Sequence, residues 1–589
     1  MRRDAQSIKR MQPSHKRRLV AAALALVVTG CALMVAAPII EFLSHPPQRL
    51  VEAVAHFHPS AAVQERTTNR WVVELAEGES ASDFAARHDY VYVGPLSEAL
   101  PRMHVFEEPA TRRRSGAPSI RDAVDAGSAA WAEQQIERRR YTRTIDVQPP
   151  QDPLYAAQWH LDAASVQEAW RLGASGAGVL ISIVDDGVAH SHADLSPRYV
   201  AAASRDVNAR SADPLPRNGD IHGTEAAGVA VAASNNDCGV GAAPLASLAG
   251  VRLIGAAASD ADEAEGLLYG LSSCGVDVYS CSWGPPDTGA GLEGPGRLTA
   301  LALERGATTG RSGKGAVYVW AAGNGAQYAD RTDYDGYGSS RHVIAVGAVG
   351  RHGKNPWYSE PGAALLVVAP SSDGIDSISS CKPSGCTSSF GGTSASAPLV
   401  AGIVALVLEQ RPELRARDIK WLLAETASPT DAAHASWLTN GSGLRTSDLY
   451  GYGVVNASRA VAVARTWTLL ADERLVETPL QSENALVAAG ATRSFTTAIS
   501  ASLRIEHVEL DVDIAVAKRG TLTLTLTSPS GTVTTFMAPH RDTGRDVKWR
   551  FTATRFYGEA ARGTWTLSLG AAAAGGATLR TWRLRLLGT

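Results

Sequence analysis

The sequence predicts an α/β core, a mostly parallel sheet flanked by helices, with a small α+β unit before it and an all-β unit after it. Three observations carry this reading. The chain has 589 residues, too many for a single hydrophobic core. Between Thr144 and Ala464, short apolar runs such as VLISIVDDG (Val179–Gly187) and AVYVWAAGNG (Ala316–Gly325) alternate with helical stretches such as DADEAEGLLYGL (Asp260–Leu271). That alternation is the pattern of a parallel sheet with crossover helices. From Arg465 to Thr589 the chain turns strand-rich, with RIEHVELDVDI, GTLTLTLTSPSGT, GTWTLSLG and RTWRLRLLG. Alternation and turn residues there predict an antiparallel sandwich or barrel.

Taken from the N-terminus, residues 1–18 form a basic tail ending in Lys16, Arg17 and Arg18, and residues 19–40 carry no charge. About 20 apolar residues span a bilayer as a helix, and the basic flank stays inside. Residues 19–40 therefore read as a transmembrane signal-anchor that sends the rest of the chain to the exoplasmic side. A cleaved signal peptide is the alternative, which would make the protein secreted. Residues 46–143 read as a separate unit. NRWVVELAEG alternates as a strand, ASDFAARHDYVYVG reads as helix then strand, and WAEQQIERRRYTR reads as a polar helix running into arginines. The net charge of -3 excludes bulk nucleic-acid binding, and the six cysteines allow one or two disulfides. No solenoid repeat is present.

Three stretches carry chemistry. In ISIVDDGV a buried strand ends on Asp185, and ligand groups gather at the C-terminal edges of such strands. DIHGTEAAGV places His222 at the start of a small-residue helix, and GGTSASAPLVAGIVALV places Ser394 at the mouth of an apolar one. Together they supply an orienting acid, a base and a nucleophile. The small residues let other backbones approach Ser394, and Pro398 is tolerable because first-turn amides lack intrahelical partners.

The order Asp185, His222, Ser394 resembles the subtilisin-like serine proteases. IVDDGVAHSHADL, HGTEAAGVAVAASNN, YSCSWGPPDTG, VYVWAAGNG, DGYGSS, PWYSE and GGTSASAPLVAGI, in that order, resemble the kexin and furin branch, the proprotein convertases. The resemblance implies a calcium-dependent serine endopeptidase made as a zymogen. Ser394 would be the nucleophile, His222 the general base, Asp185 its orienter and Asn324 an oxyanion donor. It places Asp287 and Asp335 at the floor of a pocket for a P1 arginine and Asp186 at the P2 pocket. Glu265, Glu293 and Tyr337 fall where P4 and beyond are read. Asp262 and Glu263 read as solvated surface acids. Two departures stand out: Pro286 occupies a common glutamate position, and an acid expected near the histidine is displaced from Gly219 to Asp220.

The same resemblance assigns Ca2+ to Asp287, Asp330 and Glu360, and a second Ca2+ to Asp152, Asp194 and Asn236, carboxylate and amide oxygens being what this hard cation takes. A third set is degraded, with Asp206 and Asp213 present but Ser211 in place of an acid. Cys238 and Cys386 match a disulfide pair of the family. Cys274, Cys281 and Cys381 have no family partner, and Cys31 lies in the apolar segment. Residues 46–143 match an inhibitory propeptide, with autocleavage after Arg143 (Arg140 at P4) and internally after Arg114. His104 lies near the place of an acid-sensing histidine but reads better as an ordinary exposed one. Residues 144–464 match the catalytic domain, and 465–589 the P domain, a jelly-roll-like barrel. Asn440 and Asn456 open N-glycosylation sequons. The implied partners are proteins or peptides with basic cleavage sites, the chain's own propeptide and a membrane, but not nucleic acid, and the protein is expected as a monomer. The implied location is the secretory pathway or cell envelope. Two other readings stand beside this one, a broad-specificity secreted subtilase and an inactive scaffold.

Overall fold

A computed structural model describes residues 66–97, 100–110, 118–137, 149–217, 219–572 and 575–589. The basic tail, the apolar segment 19–40, Cys31, Arg114, Arg140 and Arg143 lie outside the described residues. The chain divides into two compact units, Met1–Arg143 and Thr144–Thr589.

The first unit is a four-stranded antiparallel sheet of β1 (Arg66–Leu75), β2 (Val91–Pro95), β3 (Met103–Glu107) and β4 (Ala129–Glu137), in the order β2-β3-β1-β4. Helices α1 (Ala81–His88) and α2 (Ile120–Asp125) complete it. Ser80 caps α1 by accepting the Asp83 amide, and Ser119 with Asp122 forms a capping box on α2. Trp71, Val73, Leu75, Phe84, Phe106 and Ile120 form its core. The predicted polar helix at WAEQQIE is instead part of β4. Pairing with β1, from Thr67↔Ile136 to Leu75↔Ala129, overrides its helical preference. His104 is half-buried, and its Nδ1 lies 3.0 Å from the Tyr92 hydroxyl.

The second unit is built on seven parallel strands: β5 (Leu180–Asp185), β6 (Arg205–Asp206), β7 (Ser247–Arg252), β8 (Val278–Cys281), β9 (Val317–Ala321), β10 (Val343–Val349) and β11 (Leu365–Pro370). Their order is β11-β10-β9-β8-β5-β7-β6, and every pair is parallel. The order turns back around β5, and a crevice forms at the strand ends at such a point. Helices α3 (His222–Val231), α4 (Asp260–Leu268), α5 (Arg297–Gly313), α6 (Thr393–Gln410), α7 (Ala416–Thr426) and α8 (Ala457–Ala464) cover the faces. Helix α6 is long and apolar enough to cross a membrane, but it is buried in the core among Ile181, Val229, Val346 and Val461. Its small residues permit that depth: a methyl on Gly402 would come within 2.7 Å of the Ala242 methyl. Beside α3, a hairpin of β12 (Ile378–Lys382) and β13 (Gly385–Phe390) is tied to the chain by a Cys238–Cys386 disulfide. Cys274, Cys281 and Cys381 carry free thiols, the last two buried.

The C-terminal segment is two antiparallel sheets around a second core containing Leu510, Phe536, Phe551, Trp565 and Trp582. One sheet centres on Ile505–Val516 and Ala577–Gly588, the other on Gly563–Ala571 with Ala491–Ile499 and Leu522–Thr527. It belongs to the same compact unit as the parallel sheet. Arg417 donates twice to Glu506 at 2.7 and 3.0 Å, the Tyr452 hydroxyl donates to Thr554 O at 2.7 Å, and Trp421 stacks on Tyr557. Asn440 is buried in this seam and donates to the Arg555 and Tyr557 carbonyls at 3.1 and 2.9 Å. Its amide is therefore not presented as a glycan acceptor in the fold. Asn456 caps α8 through the Arg459 amide.

Asn440→Ala leaves two seam carbonyls without their donor. We expect it to lower unfolding free energy by about 1–3 kcal/mol in chemical denaturation. Leu486→Ala, at a site 60% exposed, is expected to stay within about 0.5 kcal/mol.

Candidate active site

Asp185 is the last residue of β5 and is fully buried. A buried carboxylate needs partners, and it has them. Its two oxygens lie 2.9 and 3.1 Å from His222 Nδ1, and the Asp186 amide donates to Oδ1 at 2.7 Å. His222 opens α3, where Ile221 supplies no side-chain cap. Asp186 supplies it from outside, accepting the Ile221 and His222 amides at 3.1 Å and the Gly223 amide at 2.7 Å. Gly223 is required here, because a methyl would lie 2.3 Å from Gly187 O and 2.8 Å from Asp185 Cβ. The Phe390 ring meets the imidazole edge-on at 5.5 Å. Burial favours neutral imidazole, but the Asp185 carboxylate outweighs it and holds His222 up to about 9.

Ser394 is the second residue of α6, which starts at Gly392 with φ 68° and no side-chain cap. The Ser394 hydroxyl donates to the Ser282 carbonyl at 3.4 Å, and the Ser282 hydroxyl donates back to the Ser394 carbonyl at 3.1 Å. Asn324 follows β9 and faces the same helix mouth. Its Oδ1 accepts the Thr393 amide at 2.8 Å and the Thr393 hydroxyl at 3.1 Å. Its Nδ2 donates to Asp287 Oδ2 at 3.4 Å. Thus Asn324 joins the mouth of α6 to the carboxylates behind it.

Those carboxylates line a cavity of about 190 Å³ that contains Asp287, Glu293, Asp330, Asp335 and Glu360 and no basic side chain. Burial pushes Asp335 up to about 7. It raises Asp287 and Asp330, and raises Glu360 well above the usual carboxylate range, with Asp330 and Asp287 adding to the effect on Glu360. Asp330 accepts the Gly289 amide at 2.7 Å, and Glu360 accepts the Gly325 amide at 2.9 Å. Neighbouring acids add to burial in raising Asp330, Asp335 and Glu360, so a positive charge entering this cavity would be favoured. Asp287, Asp330 and Glu360 do not all three bring a carboxylate oxygen within 4.8 Å of one another.

Of the second predicted set, Asp194 is fully buried and neither carboxylate oxygen has a hydrogen-bond partner. Asp152 accepts from the Ser234 hydroxyl and the Asn235 and Asn236 amides. An orphaned buried carboxylate fits a cation. The third set does not: Asp206 pairs with Arg217 at 2.9 Å and Asp213 with His190 at 3.0 Å.

The remaining predicted residues are in mixed states. Tyr337 packs against Trp283 and Trp320 and donates to Glu263 at 2.8 Å. Glu293 is exposed and joins Tyr334 and Gly336 through its backbone. Glu265 is paired with Arg205 and Arg210. Glu263 and Asp262 are not merely solvated: Glu263 also accepts the Thr299 hydroxyl at 3.0 Å, and Asp262 caps α4 and binds Arg210. Ser282, Arg205 and Arg210 were not singled out from sequence. Neither serine nor isolated arginine carries a local signal there, and their partners lie 52 to 112 residues away.

Comparison with known proteins gives consistent matches. Residues 176–453 match the Subtilase family, and residues 505–586 match the Proprotein convertase P-domain. Furin of Mus musculus is 35% identical over 545 residues, covering 88% of this chain and 68% of furin. Proprotein convertase subtilisin/kexin type 6 of Rattus norvegicus is 34% identical, covering 85% of this chain and 57% of its own. The crystal structure of the serine protease of Aeromonas sobria shares the fold, with TM-score 0.68 and 23% identity, covering 77% of this chain and 98% of that one.

The His222 environment makes a measurable prediction. Its imidazole is expected to titrate above 6.5, toward about 9, in NMR of 13C-labelled histidine. Asp185→Asn is expected to bring the midpoint to 6.5 or below, because burial then acts without its main opponent.

Proposed function

The chain belongs to the subtilase family, in its furin-like proprotein-convertase branch, and is a subtilisin-like serine endopeptidase; from that premise we propose that it cleaves proteins after a basic P1 residue. The observation that carries this is the cavity of carboxylates without a basic side chain, joined to the mouth of α6 through Asn324. An arginine side chain entering it would meet Asp335 and Asp287, and guanidinium pairs with carboxylates in two-pronged geometry. A neutral P1 residue would leave those charges unpaired.

Ser394 Oγ attacks the scissile carbonyl carbon and the deprotonated His222 Nε2 takes its proton, so activity rises with pH through the His222 titration. Asp185 holds Nδ1–H and stabilises the imidazolium. Asn324 Nδ2, now 3.4 Å from Asp287, turns to the oxyanion, with the N-terminal end of α6 facing the same charge. The imidazolium then protonates the leaving amine, and water clears the acyl-enzyme by the same steps. Asp186 keeps His222 at this place by holding the first amides of α3.

Asp287, Asp330 and Glu360 would hold one Ca2+, and Asp152, Asp194 and Asn236 a second. The calcium supplies charge neutralisation and rigidity, not a reacting atom. The unit at 66–137 is read as part of an inhibitory propeptide removed after Arg143, and residues 19–40 as an anchor or signal that puts the enzyme in the secretory pathway or cell envelope.

Cleavage of a random peptide library, read by mass spectrometry, is expected to show Arg or Lys on the acyl side of most cut bonds, with Ser394→Ala silent. Equal representation of Phe and Leu at P1 would contradict the reading. In a second test, calcium is expected to raise the unfolding temperature. Glu360→Gln and Asp194→Asn should each need at least about tenfold more calcium for half that rise.

A further inference from the structure

On the proposed placement of Asp287 and Asp335 beneath P1, the acids along the cleft do not offer equal charge. The cavity at P1 holds no basic side chain. Farther along, the contacts run from Ser394 to Ser282, whose neighbour Trp283 packs against Tyr337, which bonds Glu263 on α4. This brings α4 to the side of the cleft where Glu265 was expected to read P4. There Glu265 is already countered. Arg205 Nε lies 3.1 Å from Oε1 and Arg210 Nη1 lies 3.2 Å from Oε2. Arg210 also reaches Asp262 at 2.8 Å. Two guanidinium groups face Glu265 and Asp262 and counter those two carboxylates. Arg205 is held in place, with its side chain 24% exposed and its guanidinium over the Tyr269 ring. Glu263 is turned to the Tyr337 and Thr299 hydroxyls, which both donate to it, and not to Arg205 or Arg210. Nearer the histidine, Asp220 is likewise paired, with buried Arg252 at 2.8 Å.

We propose that Arg205 and Arg210 cancel P4 selection by Glu265, Glu293 lining the cavity at P1 instead, so that this endopeptidase reads one positive charge, at P1, and accepts neutral P4 residues as readily as arginine. An incoming P4 guanidinium would have to displace one already seated on Glu265. It would exchange one ion pair for another while lying beside a like charge, which removes discrimination. The substrate class is then monobasic sites in proteins rather than multibasic ones. The inference rests on the P1 reading above, and its test keeps the two apart.

The matured enzyme is assayed on peptides with Ala at P2 and P3, carrying Ala or Arg at P4 before a P1 Arg, plus one with P4 Ala and P1 Phe. The expected result is a kcat/KM for P4 Arg within about threefold of P4 Ala. The pair Arg205→Ala, Arg210→Ala should raise the Arg-to-Ala ratio by about tenfold by unmasking Glu265, and adding Glu265→Gln should abolish the gain. Arg210→Gln alone should raise it in the same direction. That side chain is 65% exposed, so this variant tests the point even where the double variant fails to fold. A tenfold or greater wild-type preference for P4 Arg would overturn the inference. So would a ratio unmoved by Arg210→Gln. The P1 Phe peptide judges the P1 reading separately: if it is cut as fast as P1 Arg, that reading falls and the single-charge claim falls with it, whatever the P4 ratio.

Discussion

A fully buried carboxylate at the C-terminal end of β5 constrains the rest of the site. Asp185 sits where seven parallel strands leave a crevice, and its charge is tolerable only if His222 and the Asp186 amide face it. That requirement sets the entry of α3, which has no cap of its own and is held by Asp186. It also fixes Gly223, since a side chain there would collide with Gly187 and Asp185. The pairing of β5 with β7 and β8 then brings Ser282, just past β8, to the backbone of Ser394.

The opposite wall follows a different rule. Asn324 has one face on Thr393 and the other on Asp287, so the mouth of α6 and the carboxylate cavity are parts of one network. Asp335 and its neighbours in this cavity meet no basic side chain of the protein. On α4 the same residue type is neutralised from within the chain by Arg205 and Arg210. Acidity alone therefore does not predict a basic subsite. What separates the two is whether a cation of the protein already occupies the carboxylate.

Much of this was legible in sequence, and the reasons differ by residue. Strands such as Leu180–Asp185 are covered on both faces and read as mostly apolar runs, so the parallel core was visible. The strand-rich C-terminal segment was visible from its alternation, as in LTLTLT, which alternates buried and more exposed residues. The acid, histidine and serine stood at predicted strand and helix ends. WAEQQIE was misread because its strand state comes from pairing with β1 rather than from its own composition. The Arg205 and Arg210 pairs with Glu265, the seam position of Asn440 and the facing of Ser282 with Ser394 join distant segments. No local pattern announces such contacts. The seam also shows why a sequon is not a glycan site by itself: the Asn440 amide is used by the fold.

The central claim is that carboxylates without a basic side chain among them, joined to the mouth of α6 through Asn324, select a basic P1 residue. The most direct measurement is the ratio of kcat/KM for two peptides differing only in P1 Arg or P1 Phe, taken for the wild type and for Asp335→Asn. The account predicts a wild-type ratio above about 100, falling at least about tenfold in the variant, mainly through the Arg peptide. A wild-type ratio near one, or a high ratio unchanged by Asp335→Asn, would contradict it.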